Sequence, residues 1–154
     1  MVEIRQAAVI GAGVMGAGIA AQIANAGTPV HLLDIVPDGA DDRDVIAKGA
    51  IANLLKANPA PLMHKRNAAL ITPGNTEDHL DRLKDCDWII EAVIENPTIK
   101  RDLYGRIATV RKEQAVLSSN TSTIPLDVLT DGMNDAMRRH FLVTHFFNPP
   151  RYMR

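Results

Sequence analysis

Short apolar runs alternate along the chain with longer stretches in which apolar residues recur every three or four positions. Short continuous runs are typical of strands that are buried on both faces, and the longer spacing is typical of amphipathic helices. Their alternation predicts an α/β fold, a doubly wound and mainly parallel sheet with helices on both faces. The predicted strands are residues 7–10, 29–34, 70–72, 87–91, 115–118 and 141–146.

The first predicted helix follows directly after the first strand. Met15, Ile19, Ile23 and Ala26 lie at spacings of four and three, which places them on one helical face. Gly27 follows as a helix stop, because glycine readily adopts the left-handed conformation in which helices commonly end. The segment therefore predicts a strand, a tight turn and a helix in immediate succession.

A longer segment separates the second strand from the strand at 87–91. It contains a predicted helix at 44–57, capped by Asp41 or Asp42, and a short helix at 63–69. This segment is longer than a minimal crossover between parallel strands requires. We expect its helices to project as a lobe beside the sheet, where the tail of a substrate could lie.

Another helix is predicted to begin at Asn96 and Pro97, because asparagine is a good cap and proline is favoured at the first helical position. The residues expected on its buried face are Ile99, Leu103, Ile107 and Val110.

Composition and charge narrow the class of protein. The chain has 154 residues, 46% of them hydrophobic, and a net charge of -1, which fits one soluble domain over 1–154 and argues against a nucleic-acid partner. No apolar run approaches the roughly 18 residues of a membrane span, and the first strand begins too early to leave room for a signal peptide. Without a span or a signal peptide, we expect a cytoplasmic location. Cys86 is the single cysteine, so we expect no disulfide and no thiolate metal site.

The turn between the first strand and the first helix has the pattern Gly-x-Gly-x-x-Gly. Gly11 permits the tight turn, Gly13 lets a ligand approach the backbone, and Gly16 lets the helix pack against the sheet. The first amides of a helix have no partner within it, and the helix dipole favours an anion there. The residues predicted to bind a dinucleotide diphosphate are Gly11, Ala12, Gly13, Val14, Met15 and Gly16.

Asp34 ends the second predicted strand, about twenty residues beyond the glycine turn. Its carboxylate can accept hydrogen bonds from a ribose diol and would repel a 2′-phosphate, which favours NAD over NADP. The alternative is a glycine-rich turn without a ligand, with Asp34 as a solvated strand end. That alternative requires the strand, the glycines, the helix and the acid to coincide by chance.

Two polar segments follow the later strands. Ser119-Asn120-Thr121-Ser122 comes directly after one strand, and His145 ends another, before Phe146-Phe147-Asn148-Pro149. Because the carboxyl ends of parallel strands face the ligand crevice, we expect both segments at one edge. Histidine titrates near neutral pH and can exchange a proton with a substrate. The alternatives are a core histidine and a set of turn hydrogen bonds, with Asn120 as a helix cap before Ile124.

With these segments in order, the chain resembles the L-3-hydroxyacyl-CoA dehydrogenase family. The resemblance rests on the Gly-Ala-Gly-x-Met-Gly turn, a Glu-Asn-x-x-x-Lys stretch, the Ser-Asn-Thr-Ser segment and the His-Phe-Phe-Asn-Pro segment. These motifs fall within residues 4–150, each in the expected element. The resemblance implies a Rossmann-type NAD-binding domain of an oxidoreductase of fatty-acid β-oxidation, which oxidises an L-3-hydroxyacyl-CoA to the 3-oxoacyl-CoA.

The resemblance also implies roles for individual residues. His145 would be the catalytic base that takes the proton of the 3-hydroxyl while C3 gives its hydride to the nicotinamide. Ser122 would hydrogen-bond the reacting oxygen, and Asn148 would help to orient that site.

Three further residues are expected on the cofactor side: Glu95, Lys100 and Asn120. Glu95 and Lys100 would contact the nicotinamide-side ribose and phosphates, with Lys100 as a point charge for the diphosphate. The alternative for these two residues is an exposed ion pair that contributes little to stability.

Two features of the family have no counterpart in residues 1–154. One is the glutamate that orients the catalytic histidine, and the other is the helical C-terminal domain that forms the dimer interface and covers the acyl-CoA. We therefore expect a homodimer for the full protein, and NAD binding with little turnover for this segment. Another NAD-dependent 3-hydroxyacid dehydrogenase and a non-catalytic NAD-binding module, in which His145 is dispensable, stay open as alternatives.

Overall fold

The computed structural model describes residues 3–153. Its strands are β1 (Ala7–Ile10), β2 (Val30–Asp34), β3 (Ile71–Asn75), β4 (Trp88–Glu91), β5 (Val116–Ser119) and β6 (Phe141–Val143). They form one sheet in the order β3-β2-β1-β4-β5-β6, and every pairing is parallel. The chain builds outward from β1 to β3 and then crosses back to β4. A crevice for a ligand therefore lies at the carboxyl ends of β1 and β4, where the strand order reverses.

Two apolar layers cover the two faces of this sheet. Its helices are α1 (Val14–Asn25), α2 (Val45–Lys56), α3 (Pro97–Val110), α4 (Leu126–Thr130) and α5 (Asp135–Arg138), with 3₁₀ turns at Lys65–Leu70 and Leu80–Asp85. Ala7 and Val9 of β1 pack in the layer with α1 and α2, whereas Ala8 and Ile10 pack in the layer with α3. Alternate residues of β1 are thus buried on opposite faces, which confirms the predicted doubly wound fold.

The helix ends follow the predicted signals in α1 and α3 but not in α2. Gly27, with φ of +85°, follows the end of α1, and the Asn96 side chain accepts the amides of Thr98 and Ile99 at the start of α3. The predicted cap of α2 by Asp41 or Asp42 is wrong, because the cap residue is Asp44 and its side chain makes no capping bond.

The predicted strand at 141–146 is too long. β6 ends at Val143, and the amide of Phe146 donates to the side chain of Asn120 at 2.9 Å instead of to a neighbouring strand. His145 therefore lies in a loop just beyond the strand.

The edge of the sheet also differs from the prediction. β3 continues to Asn75 through Pro73, which an edge strand tolerates because it needs no donor on its open side. The short helix predicted at 63–69 is the 3₁₀ turn Lys65–Leu70. None of the helices within residues 3–153 combines the length and the apolar character that a membrane span requires.

Cys86 offers a simple test of the core. Its side chain is fully buried, and burial raises the pKa of the thiol to about 12. Because the thiolate is the nucleophile, we expect Cys86 of the native chain to react with iodoacetamide roughly 1000-fold more slowly than in the unfolded chain. Mass spectrometry of timed samples measures both rates, and equal rates would contradict the packing described here.

Candidate cofactor site and active site

The glycine turn leaves β1 with a geometry that only glycine can adopt at two of its positions. Gly11 has φ of +102°, and a Cβ there would lie 2.5 Å from the carbonyl oxygen of Ala92. A Cβ on Gly16 would lie 1.7 Å from the carbonyl oxygen of Gly11. These two contacts bring the start of α1 against the ends of β1 and β4.

Gly13 differs from the other two glycines because its missing side chain leaves open space. A Cβ there would meet no atom within 4 Å, and its φ of -67° is one that any residue adopts. The amide of Ala17 makes the first helical bond of α1, to Gly13, so the amides of residues 14–16 precede that bond. Open space beside free amides at a helix N-terminus fits the diphosphate of a dinucleotide.

A cavity of about 480 Å³ opens on one side of Gly13. Ile35, Ile94 and Ile99 line it, and all three are largely exposed to solvent in the structure. The prediction that Ile99 belongs to the buried face of its helix is therefore wrong, since Ile99 forms part of the cavity wall. Arg106 and Thr76, which no sequence signal indicated, complete the far end.

Asp34 lies in the same cavity and also holds the glycine turn in place. One carboxylate oxygen accepts the amide of Ala12 at 2.5 Å, and the other accepts the amide of Ile35 at 2.7 Å. Each carboxylate oxygen can accept further hydrogen bonds, so Asp34 can still receive a ribose hydroxyl. A hydrogen bond from a ribose to Asp34 stays a prediction.

A second cavity of about 480 Å³ lies on the other side of Gly13, between α1 and the end of α2. Asn148 and Pro149 line it, and Pro150 packs so closely on Gly18 that a Cβ there would lie 3.0 Å from the proline ring. Arg151 then donates to the carbonyls of residues 60 and 62, in the lobe that follows β2. The chain beyond His145 thus connects the sheet edge to this lobe.

His145 and Ser122 lie together, as the two polar segments predicted. His145 Nε2 and Ser122 Oγ share a hydrogen bond of 3.0 Å, and both residues are exposed. The alternative of a core histidine is therefore wrong. Asn120 does not cap a helix, because α4 begins after Pro125; its side chain accepts the amide of Phe146 and ties the two segments together.

Glu95 binds the loop that carries Ser122. Its Oε1 accepts the Thr121 hydroxyl at 2.5 Å and the amides of Ser122 and Thr123 at 3.0 and 3.2 Å. Partial burial alone would raise the pKa of Glu95, but these hydrogen bonds and the charge of Lys100 lower it to about 2. The carboxylate of Glu95 is therefore ionised at neutral pH.

Lys100 does not lie where the sequence predicted. Its side chain is only 1% exposed, and Nζ lies 2.6 Å from Glu91 and 3.3 Å from Glu95. Two carboxylates surround this ammonium group, so it is not a free point charge for a diphosphate, and the alternative of an exposed ion pair is wrong as well. A contact of Glu95 or Lys100 with the ribose stays a prediction.

The comparison with protein families identifies the domain. Residues 6–154 match the family described as 3-hydroxyacyl-CoA dehydrogenase, NAD binding domain. The chain belongs to this family. Membership confirms the predicted family, the Rossmann-type fold and NAD as the cofactor, and the geometry around Gly13 and Asp34 fits that cofactor.

Relatives of this 3-hydroxyacyl-CoA dehydrogenase domain are considerably longer than the chain. It is 51% identical over 151 residues to a probable 3-hydroxyacyl-CoA dehydrogenase of Deinococcus radiodurans, covering 98% of the chain and 44% of that protein. It is 48% identical to a putative fatty acid oxidation complex trifunctional enzyme of Rickettsia felis, covering 98% of the chain and 21% of that protein. The crystal structure of 3-hydroxybutyryl-CoA dehydrogenase from Escherichia coli superposes with a TM-score of 0.79 at 28% identity, over 98% of this chain and 31% of the other.

Proposed function

We propose that the chain is the coenzyme-binding part of an enzyme that oxidises an L-3-hydroxyacyl-CoA to the 3-oxoacyl-CoA in fatty-acid β-oxidation. The observation that carries the proposal is the 3.0 Å contact between His145 and Ser122, exposed at the ligand edge of the sheet. A base and a hydroxyl donor side by side are what proton removal from an alcohol needs.

The chain's own residues supply the proton chemistry. NAD, when bound, accepts the hydride from C3 of the substrate. His145 Nε2 accepts the proton of the 3-hydroxyl, and the Ser122 hydroxyl turns from Nε2 to donate to the same oxygen. Asn148 follows His145 by three residues and lines the second cavity together with Gly13, and we assign it the orientation of the substrate.

The substrate tail is proposed to lie in the second cavity, the one between α1 and the end of α2. Val14, Ala17, Leu54 and Pro149 give this cavity a mainly apolar lining, which suits a thioester arm better than a charged group. Homodimerisation through a C-terminal domain and a cytoplasmic location of the full enzyme are further proposals. The family resemblance supports the first, and the single, buried Cys86 fits the second.

A chimera tests the proposed activity. In it, this chain replaces the matching residues of the Deinococcus relative, which supplies the rest of the polypeptide. We expect the chimera to oxidise NADH with acetoacetyl-CoA, and the 154-residue chain alone to bind NADH with little turnover. A chimera that folds and binds NADH but never turns over acetoacetyl-CoA would favour the non-catalytic module.

The choice of NAD over NADP is tested at Asp34. Replacing Asp34 by alanine is expected to weaken NADH binding by about 10-fold, because a hydrogen bond to a charged group contributes about 1.5 kcal/mol or more. NADPH binding should weaken less than NADH binding: both coenzymes lose the glycine turn that the hydrogen bond from the Ala12 amide to Asp34 holds in place, but for NADPH the repulsion of the 2′-phosphate also disappears. Fluorescence titration of the chain measures both affinities. Asp38→Ala, at an exposed acid nearby, is the matched control, and equal affinities of the parent chain for the two coenzymes would contradict this role.

A further inference from the structure

Glu91 is a fully buried carboxylate at the carboxyl end of β4, and the proposed chemistry does not use it. Its Oε1 accepts Lys100 Nζ at 2.6 Å and the amide of Val93 at 2.8 Å. Its Oε2 accepts the hydroxyls of Tyr104 and Ser119, both at 2.6 Å. Every lone-pair direction that such a carboxylate commonly uses is thus occupied by a donor of the chain itself.

Stability alone does not account for a buried ion pair at this place. Taking Glu91 and Lys100 out of water costs several kcal/mol per ion, and apolar side chains of similar volume are often at least as stabilising. A fully hydrogen-bonded buried pair does, however, fix the positions of the groups around it. The contacts of the Glu91–Lys100 pair therefore indicate which part of the chain it keeps in position.

The Glu91–Lys100 pair holds both ends of the loop that carries Ser122. At the start of the loop, Glu91 binds the hydroxyl of Ser119. At its far end, Lys100 Nζ lies 3.3 Å from Oε2 of Glu95, whose other oxygen accepts the amides of Ser122 and Thr123. One buried cluster of charges thus fixes the backbone on each side of the hydroxyl that contacts His145.

We propose that Glu91 and Lys100 are positioning residues, which act through Ser119 and Glu95 to keep Ser122 within hydrogen-bond distance of His145. The inference rests on the proposed function for its effect on turnover. Its effect on the loop can be measured without turnover.

Hydrogen exchange of the 154-residue chain is the primary test. The double variant E91Q/K100M removes both buried charges, so neither is left unpaired. We expect the Ser122 and Thr123 amides to exchange at least about 10-fold faster, because Glu95 loses the cation that holds it, while the β1 amides of Ala8 and Val9 change less than about twofold.

The chimera gives the second readout. E91Q/K100M is expected to lower kcat at least about 10-fold, because misplaced catalytic groups cost rate. Arg101→Met is the matched control: Arg101 is the neighbouring cation on α3, and it pairs with Asp131, which is exposed. The control should change neither readout.

Two results would overturn the proposal. One is unchanged exchange at Ser122 and Thr123 in a folded double variant, and the other is faster exchange by the same factor in β1, which would mean only a loss of global stability. If E91Q/K100M fails to fold, Lys100→Met alone replaces it. This variant leaves Glu91 with the donors of Val93, Tyr104 and Ser119, removes the cation beside Glu95, and must release the same two amides. An inactive chimera with the expected exchange pattern would contradict the proposed function and support the positioning role.

Discussion

Replacing His145 by glutamine is expected to lower kcat of the chimera with acetoacetyl-CoA and NADH about 1000-fold, within the range that general acid–base catalysis contributes. In the parent chain, Ser122 Oγ lies 3.0 Å from Nε2 of His145. Glutamine can still hydrogen-bond this hydroxyl, but it cannot take or return a proton. We propose the coenzyme contacts for the glycine turn and Asp34, so the Kd for NADH should stay within about threefold.

His140→Gln provides the control for this experiment. His140 precedes β6 and its carbonyl accepts the amide of Leu117, so it lies at the opposite end of the strand from His145. Its substitution should leave kcat unchanged. A His145 variant that keeps the activity of the parent chimera would remove the proposed mechanism, whereas a loss of NADH binding would mean that the substitution disturbs the coenzyme site.

The fold could be predicted from the sequence because its main signals are local. Strands buried on both faces must be continuously apolar, as residues 7–10 are, and the turn needs glycine at Gly16 because a Cβ there would meet the carbonyl oxygen of Gly11, five residues earlier. The beginning of α3 is equally local, since Asn96 accepts amides only two and three residues ahead. Each of these features depends on neighbours in the sequence.

The predictions from the sequence are wrong where contacts between residues far apart in the sequence determine the structure. Residues 141–146 are apolar enough for a strand, but the side chain of Asn120 accepts the amide of Phe146, so this amide does not pair with a neighbouring strand. Ile99 has the spacing of a core residue because a cofactor cavity and a core both need apolar walls. The spacing of apolar residues alone does not distinguish a cavity wall from a core, or the end of a strand from the loop that follows it.

Lys100 shows the same limit for charged residues. Beside Glu95 in the sequence it fits a surface ion pair, and its burial is decided by Glu91, which the fold brings to 2.6 Å from its ammonium group. The sequence signal for this burial was Glu91, an acid at the end of an apolar strand. A carboxylate in the middle of a parallel sheet is buried, and it therefore needs hydrogen-bond donors from the chain.

Substitution of Gly13 by alanine is expected to weaken NADH binding about 100-fold, a free-energy change of about 2.7 kcal/mol. The added methyl group would occupy the open space beside the amides of residues 14–16, where the diphosphate is expected to lie. Nothing within 4 Å opposes this methyl group in the chain itself, and a φ of -67° suits alanine. The free energy of unfolding should therefore change by no more than about 1 kcal/mol, the usual cost of alanine in place of a better cap residue.

Gly49→Ala is the matched control, because a Cβ at Gly49 also meets no atom within 4 Å but lies on the exposed side of α2, outside both cavities. It should raise the free energy of unfolding by about 0.5–1 kcal/mol, as alanine does in a helix, and leave NADH binding unchanged. Fluorescence titration and urea unfolding of both variants separate binding from stability. Normal NADH affinity in the Gly13 variant would mean that the diphosphate lies elsewhere, because no bound phosphate can share the space of that methyl group.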